Sequence, residues 1–231
     1  MPSRHPVFHP ASLAASTALA VLVALTLAGS PSAALGEGQP TVLQQLRELI
    51  GYNPRQAVGG SRSGSAVTVC LITPRFAESV DGIPQALVSL PSPTLLAAGA
   101  LSEVRLEQDE RILWQRRGSS SEPIEGPIPW PLPPLQPGES VLLRLRPRGA
   151  AGADFADIRL VAAGEAEQQR ALALLADPPS RLAVIEREAR AGRAALASEL
   201  LFSPVEQPSE ALTELQQLLI AGACGITPAA P

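Results

Sequence analysis

Polar and apolar residues alternate most strictly in SEVRLEQ (102–108), with Val104 and Leu106 on one side and Glu103, Arg105 and Glu107 on the other. RILWQRR (111–117) follows directly after Asp109-Glu110, with Ile112 and Trp114 assigned to one face. Two period-two runs separated by a two-residue turn predict a β-hairpin. VLLRLRPR (141–148) alternates again, setting Val141, Leu143 and Leu145 against Leu142, Arg144 and Arg146. FADIRLVA (155–162) closes the series, and PQALVSL (84–90) is a further strand. AVTVCLIT (66–73) is apolar almost throughout, the pattern of a buried strand, so alternation does not say which way Cys70 points.

Outside this β region the period lengthens. In TVLQQLRELIG, Leu43, Leu46 and Ile50 mark one face of a short helix, with Gly51 to end it. NPRQAVGGSRSGS (53–65) reads as loop. From Gly164 onward the pattern is helical. EAEQQRALALLA (165–176) stops at Asp177-Pro178-Pro179, and Ser180 caps a helix carrying Leu182, Ile185 and Ala189 until Gly192. RAALASELLF follows, and Ser209 caps a last helix lined by Leu212, Leu215, Leu218 and Leu219. Short amphipathic helices with tight breaks predict αα-hairpins packed on the β region.

Between the hairpin and the next strand lies GPIPWPLPPLQPGES (126–140), with six prolines and Trp130. Proline lacks the N–H that an inner strand must donate, so this segment suits an extended path along a sheet edge. PLQPGES then crosses from one sheet to the other. The fold class expected is α+β: an immunoglobulin-like antiparallel β-sandwich over 66–163, with a small C-terminal helical (αα-hairpin) appendage over 164–222 and a tail over 223–231. A linker with the short helix and the Gly/Ser loop covers 35–65.

Residues 1–34 read as a signal peptide. Arg4 precedes an apolar run (12–28), and Ser32 and Ala34 sit at the −3 and −1 positions of a cleavage site. The unbroken apolar stretch from Ala18 to Ala28 is too short to span a bilayer comfortably. The expectation is an exported, periplasmic or extracellular protein of about 197 residues with no stable membrane span after cleavage. Cleavage moves the formal net charge from −4 to −5, which argues against a nucleic-acid partner.

Missing residue types narrow the chemistry. The chain has no lysine, and His5 and His9 both precede the cleavage site. A mature chain without histidine or lysine has no Ser-His-Asp or Cys-His triad, no histidine metal site and no Schiff-base lysine. No cofactor and no metal site are expected. Cys70 and Cys224 are the two cysteines, and export makes a disulfide between them a candidate.

A Gly-rich GGSRSG before a cysteine-bearing strand, SPTLLAAGALSEVRL, EPIEGPIPWPLPPLQPGESVLLRLR and a tail with ADPPSRLAVIEREARAG then AALASELL occur in that order. In this order, after a signal peptide, they resemble the secreted cyanobacterial family named domain of unknown function nine-two-eight, over about residues 54–221. The chain departs from the family at Leu95-Leu96-Ala97-Ala98, where members carry aromatics. The resemblance implies secretion and a sandwich with helices, and it implies no activity.

Three functions are compatible with this sequence. The leading one is a non-enzymatic exported interaction or envelope-associated protein with an unknown protein or cell-envelope partner. The second is a binding module for anionic glycan: Arg144, Arg146 and Arg148 share a strand face, and Trp130 supplies the aromatic. On the opposing view that stripe is an ordinary solvated face, with Glu103 and Glu107 opposite. The third is a hydrolase working with carboxylates alone, from Glu103, Glu107 and Glu110 or from Asp154 and Asp157. A solvent-facing hairpin gives the glutamates no burial to tune them, and Asp154 and Asp157 fall on opposite sides of a strand.

Overall fold

The computed structural model describes residues 41–50, 56–59, 67–77, 82–176 and 181–223. The chain is mixed α and β, with two sheets and five helices among these residues. The strands are β1 (Gln56–Gly59), β2 (Val67–Thr73), β3 (Gln85–Val88), β4 (Leu96–Ala98), β5 (Leu101–Gln108), β6 (Arg111–Arg117), β7 (Ser140–Pro147) and β8 (Ala156–Ala162). The helices are α1 (Val42–Ile50), α2 (Glu165–Leu175), α3 (Arg181–Arg190), α4 (Ala194–Phe202) and α5 (Glu210–Ala221).

One sheet runs β1-β2-β4 and the other β3-β8-β7-β5-β6. All pairings are antiparallel except β3 with β8. The alternation read in the sequence sets the inner face of the larger sheet. Val104 and Leu106, Val141, Leu143 and Leu145, and Ile158 and Leu160 meet Val69 and Leu71 of the smaller sheet, and Leu95 just before β4, in one apolar core.

The smaller sheet is buried on its other face too. Cys70 and Ile72 of β2 and Leu96 of β4 face the helices, joining Leu46, Ile50, Ile185, Leu200, Leu201, Leu212 and Leu215 in a second core. Burial on both faces explains why β2 is apolar without alternation. It also settles the direction of Cys70, which points to the helices and not into the space between the sheets. Cys70 is disulfide-bonded; Cys224 lies outside the described residues, as do the signal segment, Ser180 and Gly51.

The helices exceed the appendage expected from sequence. α1 belongs to the second core with Leu46 and Ile50, so it is no linker helix. A reciprocal cap starts it: Thr41 N–H donates to Gln44 Oε1 at 2.8 Å, and Gln44 N–H donates to Thr41 Oγ1 at 3.3 Å. Ser209 caps α5 as expected, accepting from Leu212 N–H. β1 and β4 are strands that the sequence pattern missed: Gln56–Gly59 falls in the segment read as loop, and Leu96–Ala98 is three residues long.

The proline-rich segment closes one side of the two sheets. Ile124 exchanges both backbone hydrogen bonds with Leu101, Ile128 exchanges both with Leu95, and Leu135 N–H donates to Pro91 O at 2.8 Å. Two single bridges and one lone hydrogen bond are spaced along an extended path, which is what a proline-rich chain can offer a sheet edge. Gly118 admits this route. A Cβ there would lie 2.9 Å from Ile124 N and 3.0 Å from Glu122 O and Pro123 Cα.

The hairpin of β5 and β6 turns through Asp109 (φ 48°) and Glu110 (φ 64°), the two left-handed residues of a type I′ turn. One expectation fails here. Leu106 pairs with Trp114 and Glu107 pairs with Ile112, so Leu113 is an extra residue on β6. This bulge moves Ile112 to the outer face, half exposed, while Trp114 stays packed on the core.

Candidate functional site

The outer face of the five-stranded sheet carries the charged residues that the alternation placed there. Arg105 sits between Glu103 and Glu107 on β5, with Arg144 and Arg146 on β7 beside it and Asp157 on β8 beyond. The register pairs Glu103 with Arg146, Arg105 with Arg144, and Arg144 with Asp157. Opposite charges face each other in the first and third of these pairs, while Arg105 and Arg144 are like charges, each with acidic partners of its own.

Glu103 is the centre of this lattice. Its side chain is 1% exposed, and Arg105 Nε lies 2.5 Å from Oε1 and Arg146 Nη2 2.6 Å from Oε2. Arg117 stands 3.6 Å away, and Gln115 Nε2 donates to the same carboxylate. Burial opposes the charge of Glu103, but hydrogen bonds from Arg105 and Gln115 and the charges of Arg146 and Arg105 outweigh it. The carboxyl is held below its ordinary range. Arg144 donates to Asp157 Oδ1 at 3.0 Å and reaches Glu107 Oε2 at 3.4 Å. Desolvation works against its charge, yet these partners raise its pKa.

An aromatic ring lies beneath the arginines, and it is not Trp130. The guanidinium carbons of Arg105, Arg144 and Arg146 sit 4.7, 4.8 and 5.4 Å from the centroid of Phe155. Each is within cation–π range. Phe155 immediately precedes β8 and has the same parity as Asp157, so it belongs to the outer face. Trp130 instead packs against the core between the sheets and donates its indole N–H to Pro133 O at 2.9 Å. Arg148 lies past the end of β7, exposed, with its backbone N–H donating to Ala100 O. The structure therefore groups Arg144 and Arg146 with Phe155, and separates Trp130 and Arg148 from them.

Two of the three hairpin glutamates are not solvated, contrary to what the hairpin alone implied; Glu110 at the turn is exposed. Glu103 and Glu107 are buried, with arginine side chains paired to both. Asp154 is buried in the turn before β8, and Asp157 is on the sheet face, so the two do not share a strand as the sequence suggested. Near the hairpin tip an open hollow is lined by Arg105, Glu107, Asp109, Glu110, Arg144 and Asp157.

Glu199 is a second charged group in the interior, and the candidate residues taken from the sequence did not include it. It lies on α4, 1% exposed, and accepts the N–H of Ser89 at 3.0 Å to each oxygen and that of Leu90 at 2.8 Å. Burial pushes its carboxyl up to about 7 against the pull of those N–H donors. A lone acid in AALASELLF is the signal that marks it. Glu188 on α3 is equally buried but gathers Arg193, Arg187 and Arg170, which hold its carboxyl below the ordinary range.

The edge of the larger sheet is the remaining feature. Among the described residues β6 hydrogen-bonds to β5 alone. It exposes Arg111, Arg116 and Arg117, with Ile112 51% and Leu113 43% exposed. Arg111 and Arg116 make no ion pair among the described residues. No group of three or more His, Cys, Asp and Glu among the described residues is arranged to hold a metal ion, and no described helix is long and apolar enough to cross a membrane.

No protein-family model, curated protein or solved structure matches this chain.

Proposed function

We propose that the chain is a non-enzymatic, exported, envelope-associated interaction protein that engages a partner through the open edge of β6. The observation that carries this reading is a sheet edge bearing two exposed aliphatic side chains and three exposed arginines, Arg111, Arg116 and Arg117. Unpaired strand edges are templates for another chain. The arginines of the outer face are already engaged with Glu103, Glu107 and Asp157, which leaves little free cation there for an anionic glycan. Arginine and glutamine donors hold the Glu103 carboxyl below its ordinary range, the opposite of the raised general acid a carboxylate hydrolase needs.

An immunoglobulin-like connectivity accompanies this reading. Support comes from the parallel pairing of β3 with β8, the neighbouring order β8-β7-β5-β6, and the bridge from Ile128 to Leu95. The proline-rich segment then takes the place of the strand that pairs with β4 in such sandwiches. Membership of the family of secreted cyanobacterial proteins rests on the order of the quoted segments, and export rests on the layout of residues 1–34.

Two measurements test the proposal. Intact mass of the protein recovered from its producing cells should correspond to cleavage near Ala34; a chain still beginning at Met1 or Pro2 overturns export by a cleaved signal. A photo-crosslinking residue at Leu113 should give a discrete adduct in those cells, whereas one at Leu172, exposed on α2, should not. Adducts at both positions or at neither count against an interaction edge at β6.

A further inference from the structure

We propose that the edge of β6 takes up an acidic, extended segment of its partner as an added strand of the five-stranded sheet; the inference rests on the interaction reading above and names the partner's chemistry. β6 spans seven residues, Arg111–Arg117, and its outer side has no strand against it among the described residues. An added strand would satisfy the free backbone N–H and C=O groups of that side, which gives affinity without sequence preference. Side chains set the preference. The register places Arg116 opposite Val104 and Arg117 opposite Glu103, so the two flank the edge on both faces of the sheet. Arg111 flanks it at the hairpin end, opposite Gln108. A strand with carboxylates at neighbouring positions meets a guanidinium on either face, while Ile112 and Leu113 offer apolar contact between them.

The same charges argue against a second copy of this chain as the occupant. Two β6 edges laid side by side would bring three arginines against three arginines, and like charges facing across a strand pair repel. Arg117 keeps one carboxylate neighbour, Glu103 at 3.6 Å, and remains 68% exposed. Asp109 and Glu110 put negative charge beyond Arg111 at the hairpin tip, so the acidic segment ends at Arg111 and does not extend over the turn.

The test uses the full exported chain and two fluorescent ten-residue peptides, one with adjacent pairs of Glu separated by pairs of Val and one with Lys in place of Glu. Binding is read by fluorescence polarisation, and the site by amide hydrogen exchange. The Glu peptide should bind, the Lys peptide should not, and new protection should fall on amides of 111–117. Raising the salt should weaken binding. The double variant Arg111→Glu with Arg116→Glu, both exposed, should fold as the parent does and weaken the Glu peptide on the order of ten-fold. No binding of the Glu peptide at about 1 mM overturns the proposal, and the arginines then serve only to keep the edge from pairing. Equal binding of both peptides, unchanged binding by the double variant, or protection confined to other strands overturns it as well. A Leu113 crosslink in cells with no peptide binding would leave the interaction edge standing and reject only its acidic partner.

Discussion

Glu199 and Leu90, 109 residues apart in the chain, are joined by a hydrogen bond of 2.8 Å from the Leu90 backbone N–H to the Glu199 carboxylate. With the two bonds from Ser89 it ties α4 to the chain just beyond β3, where the pairing with β8 has ended at Val88. Burial raises the carboxyl from its ordinary 4.5 to about 7. A raised carboxyl binds its proton more tightly folded than unfolded. Its contribution is therefore complete below about pH 4.5 and is lost as pH climbs to about 7, a span worth about 3 kcal/mol. Glu199→Gln removes that slope. The melting temperature of the variant minus that of the parent should rise between pH 5 and pH 8; a constant difference would refute the raised value.

Glu103 has the opposite sign. Its carboxyl is depressed, so its contribution is present above the ordinary value of 4.5 and is lost as pH falls below it. Glu103→Gln should cost about 2 kcal/mol at pH 7, because Arg105 and Arg146 lose a buried charged acceptor. As pH falls below 4.5 the gap between the parent and the variant should narrow. Urea titrations at pH 7 and pH 3 check both halves.

Gly118→Ala should destabilise by about 2 kcal/mol, since the added methyl meets backbone atoms that cannot rotate away. The loss should be felt first where Ile124 pairs with Leu101. Faster exchange of the Ile124 amide, with the Leu143 amide unchanged, would place it there.

Glu110 holds a left-handed conformation that suits glycine better. Glu110→Gly should stabilise the chain by about 1 kcal/mol, measured as a higher urea midpoint at constant slope. A lower midpoint would mean that the turn is not of the mirror-image type.

A bridge from Cys70 to Cys224 is expected because they are the only cysteines and Cys70 is disulfide-bonded. The oxidised, unfolded protein should titrate no thiol and run as a monomer without reductant. Closing a loop of about 154 residues is worth about 4–5 kcal/mol in the chain-entropy picture. Cys224→Ser should lower stability by an amount of that order and leave one thiol.

Much of this molecule was legible as parity. Wherever one face of a strand is wet and the other dry, as in β5 and β7, the sequence names the buried residues one by one. Parity also held the clue to Phe155, which lies two residues before Asp157 and so faces the arginines; Trp130 drew attention only because it is the rarer residue. Parity fails at Leu113, where a bulge adds a residue and sends Ile112 to the other face. It fails at β4, where three residues are too few to show a period, and at β1, whose Gly-rich surroundings read as loop. The burial of Glu103 was hidden for a different reason. An acid on the polar side of a strand looks exposed until Arg146 and Arg117 reach it from the two neighbouring strands.

β2 shows what a strand forgoes when it is apolar on both faces. Elsewhere a slip of one residue would drive leucines into water and arginines into the interior, and the hydrophobic effect forbids it. In VTVCLIT a slip would exchange Leu71 and Cys70, or Ile72 and Leu71, at small cost in burial. Its alignment with β4 must be set by something other than oil and water. A covalent bond at Cys70 is such a device: only one of the two phases turns that sulfur toward the helices. The bridge would then select the correct alignment of the central sheet as the chain folds, in addition to holding its end.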